Sequence, residues 1–345
     1  MYSRRRWREC KLLICDKKTF DFAQSFKNMR ILVAGGTGFL GGALLRRLAA
    51  DGACLRATYF TRQPDFYNPN VEWLRADLRE VADCARSVEG IDVTLFCAAV
   101  TSGAPVIVNS PLAHVTPNVI INARLFEAAH LAGVSKVLFI STGTAYPDLG
   151  DVALKESDMS LGDPPPVYFS SGWMKRYGEI LCRTYAYVAK PPIAAAVVRV
   201  SNVYGPRDKF DLERAHVTAA QIRRVIDRHR PIWVWGTGDE ERDLLYIDDF
   251  VEGALRALTM PDVYFEVNIA SGKSVSVREI VETAIHADGF VDAEIRFDPS
   301  GPRTISRRLF DIGVARDKLA FSPTVSLSTG ITQTIDWYRR TQNCR

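Results

Sequence analysis

Ile31-Leu32-Val33-Ala34-Gly35-Gly36-Thr37-Gly38-Phe39-Leu40-Gly41-Gly42 runs directly into Ala43-Leu44-Leu45-Arg46-Arg47-Leu48-Ala49-Ala50. An apolar β-type run enters a glycine turn and an amphipathic helical run leaves it, the strand-turn-helix context that a dinucleotide site requires. In this reading Gly35 permits the tight turn, Gly38 lets the backbone approach a pyrophosphate, and Gly41 lets the helix pack close to the strand. Thr37, Phe39 and Leu40 complete the cradle. The first N–H groups of the helix have no partner within it and are free to meet an anion. Glycines also mark ordinary turns, so the flanking pattern carries the reading.

Outward from this turn, apolar strand-like runs at Ala53 to Phe60, Val93 to Ala99, Lys136 to Ser141 and Ile193 to Val200 alternate with helical stretches at Asn118 to Leu131 and Lys175 to Val188. Such alternation predicts an α/β fold, a doubly wound parallel sheet with helices on both faces. After Tyr204-Gly205-Pro206 the rhythm loosens: a helix from about His216 to Arg228, a strand at Ile232 to Trp235, then helices near Asp249 to Thr259 and Val277 to Ala287. The expected division is a dinucleotide-binding domain over 29–205, with later segments returning to it, and a smaller C-terminal α/β substrate-binding domain over 206–345. Residues 1–28 read as a disordered N-terminal tail. Arg4-Arg5-Arg6-Trp7-Arg8 could be a basic targeting arm, but the apolar patch after it is too short for a secretory signal.

With 345 residues, 47% hydrophobic and 24% charged, the chain has ordinary globular proportions and ample length for a core. A net charge of +4 is too weak to indicate nucleic acid as a partner. The seven cysteines include no C-x-x-C pair, so neither a disulfide framework nor a metal site is expected. No apolar run reaches membrane-spanning length, and a reducing cytoplasm is the expected compartment.

Further motifs follow in order: Asp77-Leu78, Ala98-Ala99, Ser141-Thr142 ahead of Ala145-Tyr146, Arg199-x-x-Asn202-Val203-Tyr204-Gly205-Pro206, Asp208-x-Phe210, and His216-Val217 opening a helix that carries Ile222-Arg223-Arg224. Val234-Trp235-Gly236-x-Gly238, Arg242-Asp243, Asp248-Asp249 and Arg307-Arg308-x-x-Asp311 complete the series. In this combination, from about Arg30 to Tyr338, the chain resembles the extended short-chain dehydrogenase/reductase family, the NAD-dependent epimerases and dehydratases of nucleotide sugars. Within the family it is most similar to reductases that also epimerise a keto-sugar.

The resemblance implies a Rossmann domain, a nucleotide-sugar substrate and a homodimer formed through two long helices. It places Asp77 and Leu78 at the adenine, and Ala98 and Ala99 under the nicotinamide half, although core packing is the competing reading for the alanines. An acidic residue should end the second strand if a ribose 2′-hydroxyl is bound. This chain has Tyr59-Phe60-Thr61-Arg62 there, so NADP is expected through Arg62, with NAD the alternative. Arg62 could also be a solvated loop residue, and Arg56 leaves the register open.

The family's catalytic set is Ser/Thr, Tyr and Lys. Thr142 and Lys175 fall in place, but four residues before Lys175 stands Ser171, whose hydroxyl is far less acidic than a phenol. Tyr168 could replace the missing tyrosine if the helix has begun there, and lies in the turn before the helix otherwise. Of the second proton-exchanging pair, His216 takes the histidine position and Thr144 the cysteine position. For the substrate the matching residues are Asn202, Arg224, Trp235, Arg242 and Arg307, an indole for stacking and guanidiniums for a diphosphate. Salt bridges, such as Arg242 with Asp248 and Asp249, are the plain alternative. The function expected is a nucleotide-sugar epimerase or reductase acting on a 4-keto-6-deoxyhexose. A catalytically silent nucleotide-binding protein and a 4-epimerase or dehydratase are the alternatives.

Overall fold

The run that opens the glycine turn forms β1 (Arg30–Ala34), buried at every residue after Arg30, as a strand covered on both faces should be. In the computed structural model, which describes residues 22–26, 28–101, 110, 112–300 and 305–343, β1 follows a short helix α1 (Phe22–Ser25) and leads into α2 (Phe39–Ala50). The chain continues through β2 (Cys54–Tyr59), β3 (Val71–Arg75), α3 (Val81–Val88), β4 (Val93–Phe96), α4 (Leu112–Leu131), β5 (Lys136–Thr142), α5 (Phe169–Tyr187) and β6 (Ala194–Val200). An excursion through β7 (Asn202–Tyr204), α6 (Val217–Ile226), β8 (Ile232–Trp235), β9 (Glu241–Tyr246) and α7 (Ile247–Thr259) brings it back as β10 (Tyr264–Ile269). The remainder is β11 (Ser274–Ser276), α8 (Val277–Asp288), β12 (Ile295–Asp298), β13 (Arg307–Arg308), α9 (Gly313–Leu319) and α10 (Leu327–Asn343).

Seven parallel strands make one sheet in the order β10-β6-β5-β4-β1-β2-β3. Order reverses at β1, which lies between β2 and β4, and a crevice opens at such a switch point outside the carboxyl ends of the strands. Side chains alternate across the sheet: Ile31 and Val33 join one apolar cluster with Leu44 and Phe250, while Leu32 and Ala34 join another with Leu125 and Phe126. This is the doubly wound sheet expected from the alternating runs. Beyond it, β9 collects β7, β11 and β13, and β8 pairs with β12 in a separate ladder.

Three expectations shift. The tail reading fails for its last part, because Phe22 and Phe26 are both buried and stack on each other, with the Arg47 guanidinium 4.9 Å over the Phe22 ring. Two aromatics one helical turn apart give even a four-residue helix enough apolar surface to dock. The basic Arg4 to Arg8 run lies outside the described residues. Both long helices begin earlier than their periodicity indicates, at Leu112 and Phe169. Pro117 inside α4 obscures the first, since a proline normally marks a helix start or break. The edge strand β10 was not read from sequence at all; its six residues are polar and apolar in mixture, and its pairing partner β6 is distant in sequence.

Candidate active site

Geometry at the glycine turn explains its residues one by one. Gly35 has a φ of +84°, and a Cβ there would come within 2.7 Å of the Ala98 Cα and 2.8 Å of its nitrogen. A Cβ on Gly41 would meet the Gly35 oxygen at 2.4 Å. Side chains at either position would push β1, α2 and the end of β4 apart. Gly38 is exposed and caps α2 without any side chain, so the helix presents backbone N–H groups to the crevice. Thr37, Phe39 and Leu40 are half-buried beside it. This cradle fits a dinucleotide pyrophosphate, and the same contact makes Ala98 part of the cradle's wall, with Ala99 exposed next to it.

At the adenine end, the Asp77 carboxylate is gripped by Arg79 at 2.6 Å, which together with the Arg79 backbone N–H holds its pKa below the usual carboxylate range. Leu78 is buried in the sheet's second apolar cluster. Beyond β2, Arg62 is exposed and its Nη2 stands 3.5 Å from Asp65, which Arg46 and Arg207 approach at 2.6 Å each. Three guanidiniums thus surround one carboxylate. Arg56 is no part of this group: buried on β2, it bonds Glu72 and the carbonyls of Arg86, Ser87 and Glu89.

The catalytic candidates stand on β5 and α5. Thr142 ends β5, and its hydroxyl lies 3.3 Å from that of Thr144. Ser171 and Lys175 are one turn apart on α5 and so share a face. The Lys175 ammonium donates to the Ile140 carbonyl at 2.7 Å, and burial pushes its pKa down to about 8. Tyr168 closes a 3-10 turn and is the N-cap of α5, so it precedes the helix and does not join the Ser171 face; Ser171 donates to its carbonyl at 3.2 Å. Its phenol is instead in electrostatic range of Arg242 and Arg308. Tyr177 is exposed, on the far side of α5 from Lys175.

His216 caps the start of α6. Solvent reaches His216, and desolvation and then the Lys209 ammonium depress its pKa below the ordinary histidine value. Lys209 was not singled out from sequence. Its ammonium donates to both the carbonyl and the hydroxyl of Thr101 at 2.7 Å. That bridge ties the segment before α6 to the chain just beyond β4.

On the substrate side, Trp235 is half-exposed on β8, Arg224 sits on α6 with its pKa lowered by burial, and Asn202 donates to the Asp243 carbonyl at 3.4 Å. Arg242 does not pair with Asp248 or Asp249; Asp249 instead accepts from Thr324 and Val325, and Arg242 donates to the Glu241 carbonyl at 2.7 Å. Arg307 faces away from this group, paired with Glu241 at 2.8 Å and donating to the Asp151 carbonyl. For Arg307 the salt-bridge alternative is the one observed. Among the described residues no cluster of histidine, cysteine and carboxylate side chains could hold a metal, and no helix is long and apolar enough to cross a membrane.

Beneath the site, Arg199 is 1% exposed and bonds Glu179 at 2.7 Å, Glu266 at 3.0 Å, the Glu156 carbonyl at 2.8 Å and the Tyr146 hydroxyl at 3.2 Å. Tyr146 in turn donates to Asn268 at 2.6 Å, and desolvation raises its pKa. Tyr146 is therefore a buried strut and lies outside the reacting set.

A seven-stranded parallel sheet with a glycine cradle at its switch point defines a Rossmann-type protein that binds NAD or NADP. Residues 31–270 match the NAD dependent epimerase/dehydratase family, and the chain belongs to it. It is 29% identical to a dTDP-4-dehydro-6-deoxy-D-allose reductase of a Streptomyces species over 92% of this chain and 98% of that one. It is also 28% identical to GDP-L-fucose synthase 1 of Arabidopsis thaliana over 92% and 95% of the two chains. The crystal structure of Bacillus cereus UDP-glucuronic acid 4-epimerase with UDP-glucuronic acid and NAD superposes with a TM-score of 0.79, at 26% identity, covering 91% and 100% of the two chains. The chain is thus an enzyme-family member related to nucleotide-sugar epimerases and reductases.

Lys175 gives this site a testable pH signature. The unfolded chain keeps its proton to about 10.4, whereas the folded site releases it near 8. Stability therefore rises with pH between these values, and the gain is absent below 8, where both states are protonated. Comparing wild type with Lys175→Met by denaturant unfolding, the stability difference should move in favour of wild type by about 2 kcal/mol between pH 7.5 and 9.5. A difference that does not change with pH would show that the ammonium is not desolvated.

Proposed function

We propose that the protein is a nucleotide-sugar epimerase/reductase that acts on a nucleoside-diphosphate 4-keto-6-deoxyhexose with NADP bound. The observation that supports this reading is the bridge from Lys209 to Thr101, which ties the segment preceding His216 to the chain beyond β4, the strand paired with the β5 that carries Thr142. The Thr142 hydroxyl and the Lys175 ammonium polarise the sugar carbonyl, and His216, kept neutral at pH 7 by its surroundings, removes the proton from the adjacent carbon. Delivery of a solvent proton to the opposite side of that carbon inverts the centre, and His216 releases the proton it took to solvent. A bound nicotinamide supplies hydride where reduction follows.

Ser171 favours a second reading. A serine where the family places its acid leaves hydride transfer without a strong proton donor, and a redox-silent nucleotide-binding protein would keep the cradle and little else. Tyr168, seated before α5 near two arginines, is the remaining phenol at the site mouth.

Incubation with NADPH and a panel of nucleotide 4-keto-6-deoxy sugars in heavy water separates these readings. Epimerisation gives deuterium in the sugar, reduction gives loss of NADPH absorbance, and His216→Asn should lower deuterium uptake at least a hundredfold. Neither signal across the panel would reject the enzyme reading in favour of the silent one.

NADP preference is supported by Arg62, Arg46 and Arg207 around the single Asp65, a surplus of positive charge where a 2′-phosphate would lie. Arg62→Ala should weaken NADPH binding about tenfold by fluorescence titration and leave NADH unchanged; an equal effect on both would assign Arg62 to solvent.

A homodimer is supported by α5, whose Phe169, Trp173, Tyr177 and Ile180 stay exposed along one side of the helix beside α4. Light scattering should give twice the chain mass for wild type and a monomer for Trp173→Glu. A wild-type monomer at micromolar concentration would end this proposal.

A further inference from the structure

Arg183 and Tyr187 stand one turn apart near the end of α5, and Tyr264, Phe265 and Glu266 open β10, the strand at one edge of the seven-stranded sheet. Where the helix end meets the edge strand, these five residues line a cavity of about 410 Å³, a volume that holds a small organic ligand. Because β10 runs parallel to β6 and the rest of the sheet, its first residues lie at the amino ends of the strands. The glycine cradle opens at the other end, outside the carboxyl ends. Rings form part of the cavity wall: Tyr187 is 66% exposed, its centroid lies 6.0 Å from that of Tyr264, and the Arg183 guanidinium stands 5.1 Å from the Tyr264 centroid. An open ring face beside a guanidinium is a stacking surface with a positive charge at its rim.

Hydrogen-bond capacity separates the polar groups. Oε2 of Glu266 accepts from Arg183 at 3.0 Å, from Arg199 at 3.0 Å and from the Tyr264 hydroxyl at 2.9 Å. Desolvation, and then the Glu266 charge, raises the Tyr264 pKa, so the phenol stays protonated and donates. That carboxylate oxygen is therefore filled. Arg183 bonds Glu266 and the Tyr264 hydroxyl, and with its side chain 56% exposed the rest of its fork of N–H donors meets solvent. The cavity thus offers ring faces and donors, and the group that complements it is a ring carrying acceptors.

We propose that this cavity is a second ligand site, for a small planar aromatic anion whose ring lies against Tyr187 and Tyr264 and whose carboxylate or phosphate is taken by Arg183. The site is separate from the dinucleotide cradle and stands independently of the reaction proposed above. Either acid group meets a guanidinium through parallel N–H donors. Glu266 joins the site to the frame of the protein, since the oxygen that holds Arg183 also holds the buried Arg199.

The test titrates the full chain with phenyl phosphate, benzoate, benzyl alcohol and inorganic phosphate, followed by ligand-observed NMR in the presence of saturating NADPH and UDP, which keep the probes out of the nucleotide sites. Wild type should bind phenyl phosphate or benzoate with a Kd of about 1 mM or tighter. Arg183→Gln should weaken that binding at least tenfold, and Tyr187→Ala about fivefold through loss of the stacking face. Both side chains are exposed, so each variant should melt within a degree or two of wild type. Tighter binding of phenyl phosphate assigns the acid group as a phosphate, and tighter binding of benzoate assigns it as a carboxylate. The proposal is overturned if benzyl alcohol binds as well as the aromatic anions, which would leave an apolar patch only. It is overturned equally if inorganic phosphate binds as tightly as phenyl phosphate, if Arg183→Gln binds as wild type does, or if no aromatic anion binds.

Discussion

The buried ion pair between Arg199 and Glu179 holds the working end of this protein together. Its guanidinium also reaches Glu266 on β10, the carbonyl of Glu156 and the hydroxyl of Tyr146, and Glu179 accepts in addition from Ser141 at the end of β5. Two opposite charges out of water are stable only when their remaining donors and acceptors are also met, and here backbone and side chains from four further segments meet them. One consequence falls on α5. Ser171, Lys175 and Glu179 lie one turn apart on the same face, so fixing Glu179 to the sheet fixes Lys175 over Ile140.

Close backbone approach supplies the second constraint. Gly35 against Ala98 closes the cradle, and Gly178 lets α5 settle onto Phe139, where a Cβ would come within 2.3 Å of the ring. Ion pair and glycine contacts act together: the first sets the orientation of α5 and the second its depth. Thr142 and Lys175 are thereby held on rigid elements, while His216 comes from a connecting segment moored by the Lys209 ammonium. The site therefore joins a fixed half to a tethered half.

Much of this was legible in the chain. The alternation of apolar runs with amphipathic stretches gave the parallel sheet, since both periods are written locally, and strand β8 was placed to the residue at Ile232–Trp235. The glycine turn was readable because its strand and helix flank it directly. Less legible was anything that depends on pairing between distant segments. Tyr146 sits in a family motif, yet only the fold shows it bonded to Asn268 and Arg199 and withdrawn from the reacting set. Phe22 and Phe26 are spaced one helical turn apart, and only the fold supplies the apolar cluster against which they dock.

Arg307 and Arg308 show where the boundary lies. The sequence by itself determined that two arginines are adjacent and that their side chains, in an extended backbone, must take opposite faces. Only tertiary structure decided which of them meets a carboxylate, because that depends on the register of β13 against β9, which sets Arg307 opposite Glu241 and Arg308 opposite Arg242. The same holds at Ser171: its identity was plain from the chain, and its helix start, with Tyr168 left outside it, came from the packing of the turn at Pro166. Local chemistry is encoded residue by residue, whereas the direction in which a side chain faces is a property of the neighbour that the fold brings to it.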